Sequence, residues 1–355
     1  VGLQERLAEI VKSCRSGYVP GPDVIEIPDT QVIGGSKLGD EIRKDTHYFA
    51  VRVNEMFLAQ GRRWFTEYDP LVFVCTEFNY DGERIRVPFI VGPTMLDYVK
   101  ESIPAGFVFR NTRVAGLYPY RGERVAITVI LYRVQRTNWA RHLLGVMESA
   151  AGAIDFGSGL PAYLKVADAV LTGVESLLSL GGTVPVTGFR QEFDTHGGDA
   201  FKPGYLAMLG PGGPAVPPAS IWVKEHRLRR GPTPDATEEF RQSDYVLLSL
   251  ASTEARSDVD TLPFYSMWQN VLSEAMAPSE DAWELANKSF IGLSREIWFC
   301  PDLTEAHADQ LVKHYEEQMI AKHDQAVQRA ERGPGPDDAK LAQVRAKSMR
   351  FLKSK

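Results

Sequence analysis

Cysteine is scarce in this chain: 355 residues hold three, Cys14, Cys75 and Cys300. Their spacing makes no CxxC pair, which excludes a thiol metal knuckle and a disulfide framework and leaves reduced, buried thiols as the expectation. Long apolar runs are missing too. The opening VGLQERLAEIVKSCRSG sets Glu5 and Glu9 inside its apolar pattern and lacks both a basic leader and a continuous apolar core. That is the pattern of a cytoplasmic chain without a signal peptide.

Catalytic signatures are also absent. The seven histidines (47, 142, 196, 226, 307, 314, 323) form neither HExxH nor HxH, and His307 and His314 are read as solvated. Gly34-Gly35-Ser36-Lys37 has the ingredients of a phosphate loop without the Walker spacing, and Gly210-Pro211-Gly212-Gly213 fails GxGxxG. Asp155-Phe156-Gly157 stands without the other kinase elements, and Ser158 has Phe156 where a nucleophile elbow needs glycine. No catalytic residue is assigned, no cofactor is expected, and the balance leans away from an enzyme.

What is present is ordinary globular composition, 44% hydrophobic and 24% charged, with 30 Gly and 22 Pro. The length allows about two domains, or one large domain with additions. The net charge of −6 conceals an uneven distribution. Between Arg110 and Arg141 seven arginines face Glu123 alone, and between Asp337 and Lys355 six basic side chains face two aspartates. Two basic islands therefore sit on an acidic body.

Along the chain, Leu3, Leu7, Ile10 and Cys14 mark a docking helix over residues 1–19. Residues 20–136 and 182–256 alternate in the two-residue period of strands, about nine in all. Asp81-Gly82 marks a hairpin between LVFVCTEFNY and ERIRVPFIV, whose Pro88 suits an edge. A second, basic hairpin is expected from Gly106 to Val134, turning at Tyr118 to Gly122, and Ser220 to Leu228 reads as one strand. Residues 137–181 switch to helical period as an inserted αα-hairpin. Residues 257–332 are helical, with Trp283, Ala286, Phe290, Leu293 and Ile297 on one stripe and Thr304 as a cap. Residues 333–355 form a basic amphipathic terminal helix after GPGP. The fold class is α+β: an antiparallel β-sandwich with an inserted helical hairpin and a helical C-terminal region.

Three functional readings follow. The leading one is a non-enzymatic scaffold or adaptor within a larger protein assembly. Its contacts are the basic hairpin (Arg110, Arg113, Arg121, Arg124) and the terminal arm (Leu341, Val344, Arg350, Phe351), and its partner is a protein with an acidic surface or a second copy. No specific nucleic acid is expected, and membrane contact is not favoured. A second is a conditional, pore-forming type of effector using the helices at 139–180, although Lys165, Asp168 and Glu175 interrupt every spanning-length window. The third is a metal-dependent hydrolase around Asp194, His196 and Asp199 on a Gly-rich loop, with Asp45-Thr46-His47 as a second contributor. The plainer reading of that loop is a capped surface turn.

Overall fold

Among the described residues, fourteen strands lie in the first of the two units into which the chain divides, Val1–Asp258 and Val259–Lys355. The computed structural model describes residues 2–15, 19–35, 38–63, 66–92, 107–135, 183–194 and 200–332, together with Leu160, Ala167, Leu171, Thr172 and Glu175.

The central sheet runs β1 (Asp23–Ile27), β10 (Gly204–Leu209), β14 (Tyr245–Thr253), β3 (Tyr48–Phe57) and β7 (Phe107–Pro119), all antiparallel. A second sheet is built on β5 (Thr66–Tyr80), which pairs with β6 (Glu83–Val91), with β8 (Val125–Gln135) and, at its start, with β4 (Arg62–Arg63); β9 (Val184–Phe193) pairs with β8. The two sheets face each other as a sandwich. Phe49, Val51, Val53, Val246, Leu248 and Leu250 from the central sheet meet Val72, Val74, Phe78, Ile127, Val129 and Leu131 from the second in one buried cluster. Period-two alternation dictates this, because each strand sends every other side chain to the same face.

Much of each sheet's outer face is apolar as well, and those parts are covered. On the second sheet, Leu71, Phe73, Cys75, Ile130, Tyr132 and Val134 are covered by Leu7 of helix α1 (Leu3–Arg15) and by Leu171. On the central sheet, Ile25, Ile27, Phe57, Tyr205, Ala207, Tyr245 and Leu247 are covered by Ile221, Val223, Leu228 and Phe240. Three of these belong to a small third sheet of β13 (Glu238–Glu239), β12 (Arg227–Arg230), β11 (Ile221–Lys224) and β2 (Val32–Ile33), in which β2 lies parallel to β11.

The α+β sandwich class agrees with the sequence, as do the Asp81-Gly82 turn (φ 51° and 76°) and the edge position of β6, for which β5 is the strand partner among the described residues. Three expectations are corrected. The basic hairpin does not form. β7 pairs with β3 in the central sheet and β8 with β5 in the second, so residues 120–124 cross between facing sheets. The crossing is pinned where Tyr120 N donates to the His47 carbonyl and Asp45 N to the Tyr120 carbonyl. Ser220 to Leu228 is two strands, because Glu225 and His226 both take the left-handed region (φ 53° and 61°) and turn β11 back into β12. His307 is buried, not solvated.

In the second unit, helices α2 (Tyr265–Ala275), α3 (Glu280–Trp298) and α4 (Glu305–Arg332) share one core of Trp268, Val271, Phe290, Leu293, Ile297, Leu311, Tyr315 and Met319. Ser279 accepts from Ala282 N at 3.3 Å to cap α3, and Thr304 accepts from His307 N at 3.2 Å ahead of α4. Trp268 stacks on Tyr315 at 4.0 Å and Trp283 on His323 at 4.3 Å. His323 Nδ1 also donates to the carbonyl of Ala275, the last residue of α2 (3.1 Å).

Most of the inserted helical segment lies outside the described residues. Those described there are helical. Leu160 joins the sandwich core, Leu171 the α1-covered face, and Arg6 of α1 donates to Glu175 (2.8 Å) and Thr172 (3.2 Å).

Candidate functional site

The arginines nominated from the sequence are woven into the β unit. Arg121 meets Asp45 at 3.1 Å, and Asp45 holds a left-handed turn (φ 53°). Arg124 lies between Glu192 (3.4 Å) and Asp194 (3.5 Å). Arg113 is half-buried on β7, and the backbone of Arg110 continues the same strand. Leu341, Val344, Arg350 and Phe351 lie outside the described residues, as do His196 and Asp199. Asp194 is therefore the described member of the nominated metal set, and its carboxylate faces Arg124. His47 is buried, with Nδ1 accepting from Arg43 N at 3.3 Å and Nε2 3.6 Å from Glu254. No group of three or more His, Cys, Asp or Glu side chains converges as a metal would require, among the described residues.

Other buried charges have structural explanations. Glu77 is held by Arg190 and by Arg86 (3.1 Å), and Arg190 reaches on to Glu192 (2.8 Å) and Thr128 (3.1 Å). Beside them, burial pushes the Cys75 thiol far up, with the Glu77 charge adding to it, so it stays protonated and unreactive. Glu55 accepts from Leu228 N at 2.6 Å beneath the small sheet. Burial pushes its carboxyl up to about 7 against the opposing effects of that hydrogen bond, Tyr245 and Arg227.

Two further features stand apart from these. The first is the outer face of α3. Leu285, Ile291 (57% exposed), Trp298 (53%) and, just past the helix end, Phe299 (82%) are exposed, with exposed Glu284, Lys288, Arg295 and Glu296 among them, and Trp298 Nε1 donates to Asp309 at 3.0 Å. The buried stripe of the same helix, Ala286, Phe290, Leu293 and Ile297, occupies the opposite side. One helix thus carries two apolar faces, and only one is used by its own core. The sequence holds the signal, since Ile291, Trp298 and Phe299 fall off the helical stripe.

The second is a polar row across the central sheet. Register aligns Ile27, Tyr205, Ser249, Arg52 and Arg113 on five successive strands, so the five share one face. The Tyr205 hydroxyl shares a 2.8 Å hydrogen bond with Nδ1 of His226, in the turn where the small sheet ends. Burial and the Arg52 charge hold the His226 imidazole below its usual range, and burial raises the Tyr205 phenol. Ser249, itself buried, donates to Asn54 Oδ1 at 3.3 Å. Sequence reasoning missed this row because its members come from strands up to 222 positions apart. Arg113 was singled out in the sequence, as one of the arginines of the basic stretch.

No helix among the described residues is long and apolar enough to cross a membrane. Comparisons with models of known protein families, with curated proteins and with solved structures give no match.

Proposed function

We propose that this protein is a non-enzymatic adaptor that joins a larger protein assembly through its helical unit. The observation that carries this reading is the outer face of α3, where Leu285, Ile291, Trp298 and Phe299 are exposed around Lys288 and Arg295. Large aromatic anchors at the centre of a patch supply most of the binding free energy in protein interfaces. The charges on that face favour an amphipathic partner segment: Lys288 and Arg295 favour acidic side chains flanking its apolar ones, and Glu284 and Glu296 beside them favour basic ones. The basic terminal segment from Asp337 to Lys355, with Leu341, Val344, Arg350 and Phe351, is a second contact to the same acidic partner. In the β unit, Arg121 and Arg124 serve the crossing and the β9 end of the second sheet.

The test uses the full chain with a photo-crosslinking amino acid at Ile291. The expected product is a cross-link to another protein, at a peptide combining apolar and acidic residues, that is lost in the Trp298→Glu, Phe299→Glu double variant. A cross-link to a second copy, to residues 333–355 of the same chain, or to a peptide without acidic residues overturns the assignment. Deleting residues 337–355 is expected to weaken capture of the same partner while leaving the thermal midpoint nearly unchanged.

A further inference from the structure

Between β10 and β11 the chain runs Gly210-Pro211-Gly212-Gly213-Pro214-Ala215-Val216-Pro217-Pro218. Proline recurs there at positions 211, 214 and 217, a spacing of three. Three residues make one turn of a polyproline II helix, so prolines at that spacing fall on one edge of it. A left-handed turn at Gly212 (φ 86°) separates Pro211 from the rest. Beyond it the sequence itself favours the extended helix. The rings fix φ at Pro214 and Pro217, and Gly213 and Val216, each ahead of a proline, are steered away from the α region. Pro217 sits at φ −61° and ψ 126°.

Burial follows the same period. Gly213 backs onto Ser243, whose Cβ lies 2.7 Å from where a Cβ on Gly213 would stand, and Val216, three residues on, packs against the cluster between the central and small sheets. Those two take the inward edge. Pro214, Ala215, Pro217 and Pro218 take the other two edges and are exposed. Both ends of the segment are tied down. Gly210 N donates to the Asp244 carbonyl at 2.6 Å, Ser220 N and Oγ donate to the Pro217 carbonyl (2.9 and 2.8 Å), and Gln31 Nε2 donates to the Pro218 carbonyl at 2.9 Å. Between these ties, the carbonyls of Pro214, Ala215 and Val216 accept no hydrogen bond among the described residues.

We propose that Pro214 to Pro218 is a docking ridge for a partner protein that reads polyproline II helices, through a groove lined by Tyr and Trp side chains. Such a groove takes proline rings against its aromatic faces, and its phenol and indole groups supply donors for carbonyls of the bound segment. The ridge offers both the exposed rings and three unclaimed carbonyls. Because its ends are fixed before binding, little conformational entropy is lost on docking. The ridge belongs to the β unit, and the proposal stands independently of the α3 face.

The experiment titrates the full chain against purified SH3, WW and EVH1 domains, three groove types that read this conformation, following heat of binding and the amide shifts of the isotope-labelled domain. Saturable binding to at least one groove type is expected, with shifts centred on its aromatic groove. The Pro214→Ala, Pro217→Ala double variant is expected to weaken that binding at least about tenfold. Pro232→Ala with Pro234→Ala, in the loop after β12, is expected to leave it unchanged, as is Trp298→Glu with Phe299→Glu on α3. If the first double variant lowers the thermal midpoint, Ala215→Asp takes its place, since it keeps every proline and puts a charge on the exposed edge. Absence of binding to all three groove types, shifts away from the aromatic groove, unaltered affinity in the ridge variants, or loss of binding in the α3 variant overturns the proposal.

Discussion

In the β unit, Val24 and Val184 are the large apolar side chains left exposed among the described residues, whereas the helical unit exposes Met276, Leu285, Ile291, Trp298, Phe299 and Ile320. The β unit covers the apolar outer surface of its two large sheets, one with α1 and Leu171, the other with the small sheet and Phe240. Its charges are likewise drawn inward: Glu55, Glu77, Asp69 and Arg256 are buried. The helical unit instead leaves a second apolar face on α3. The difference is one of apolar surface: the β unit has little left over, and the helical unit keeps a patch of the kind that protein interfaces use.

The largest effects are expected in the two cores, where the units should behave alike. Phe49 packs edge-on against Phe78 (5.5 Å), Tyr118 (6.0 Å) and Phe201 (5.5 Å) at one end of the sandwich. Phe49→Ala is expected to cost about 3–5 kcal/mol, read as faster amide exchange in β3 and β14. Trp268→Ala, which removes the stack on Tyr315, is expected to cost a similar amount, read in α2 and α4. A much smaller loss at Trp268 would mean that the helical core is looser than its geometry shows, and would break the parallel between the cores.

Next comes a difference in pH dependence that the β unit alone should supply. Glu55 titrates near 7 in the fold and near 4.5 as an ordinary glutamate. Between those values the folded chain keeps a proton that the unfolded chain has released. The contribution of Glu55 to stability is therefore full below about pH 4.5 and is lost as pH rises through about 7, a change of up to ~3 kcal/mol. Glu55→Gln keeps an acceptor for Leu228 N and removes the titration. In denaturant melts it should match the parent near pH 4 and exceed it at pH 8. Parallel pH profiles for parent and variant would show that the buried carboxyl is hydrated in solution.

The units also differ in how much their sequences reveal. The helical unit is built from contacts that local spacing encodes: Ala286, Phe290, Leu293 and Ile297 recur every three or four residues, and Ser279 and Thr304 announce the starts of α3 and α4. The β unit depends on which strand lies beside which, and alternation does not carry that information. A turn between two β-rich runs looks the same whether the strands pair or cross to opposite sheets, which is why β7 and β8 suggested a hairpin. The Glu225-His226 turn lacks the glycine or asparagine that marks such turns. The arginine partners are distant too: Asp45 for Arg121 and Glu192 and Asp194 for Arg124 lie 68 to 76 positions away.

The smallest effects test whether purely local signals weigh equally in the two units. Ser279→Ala removes the oxygen that accepts from Ala282 N at the start of α3, with an expected cost of ~1 kcal/mol. Its counterpart in the β unit is Gly82→Ala. No atom lies within 4 Å of the methyl it would add, so the penalty comes only from holding a non-glycine residue at φ 76°, again roughly 1 kcal/mol. Comparable losses in denaturant melts would show that the two units share the same local rules. A distinctly larger loss at Gly82 would mean that the Asp81-Gly82 turn fixes the register of β5 against β6 and, through β5, the pairing with β8. Tertiary arrangement in the β unit would then rest on a two-residue signal, while in the helical unit it rests on the stripe.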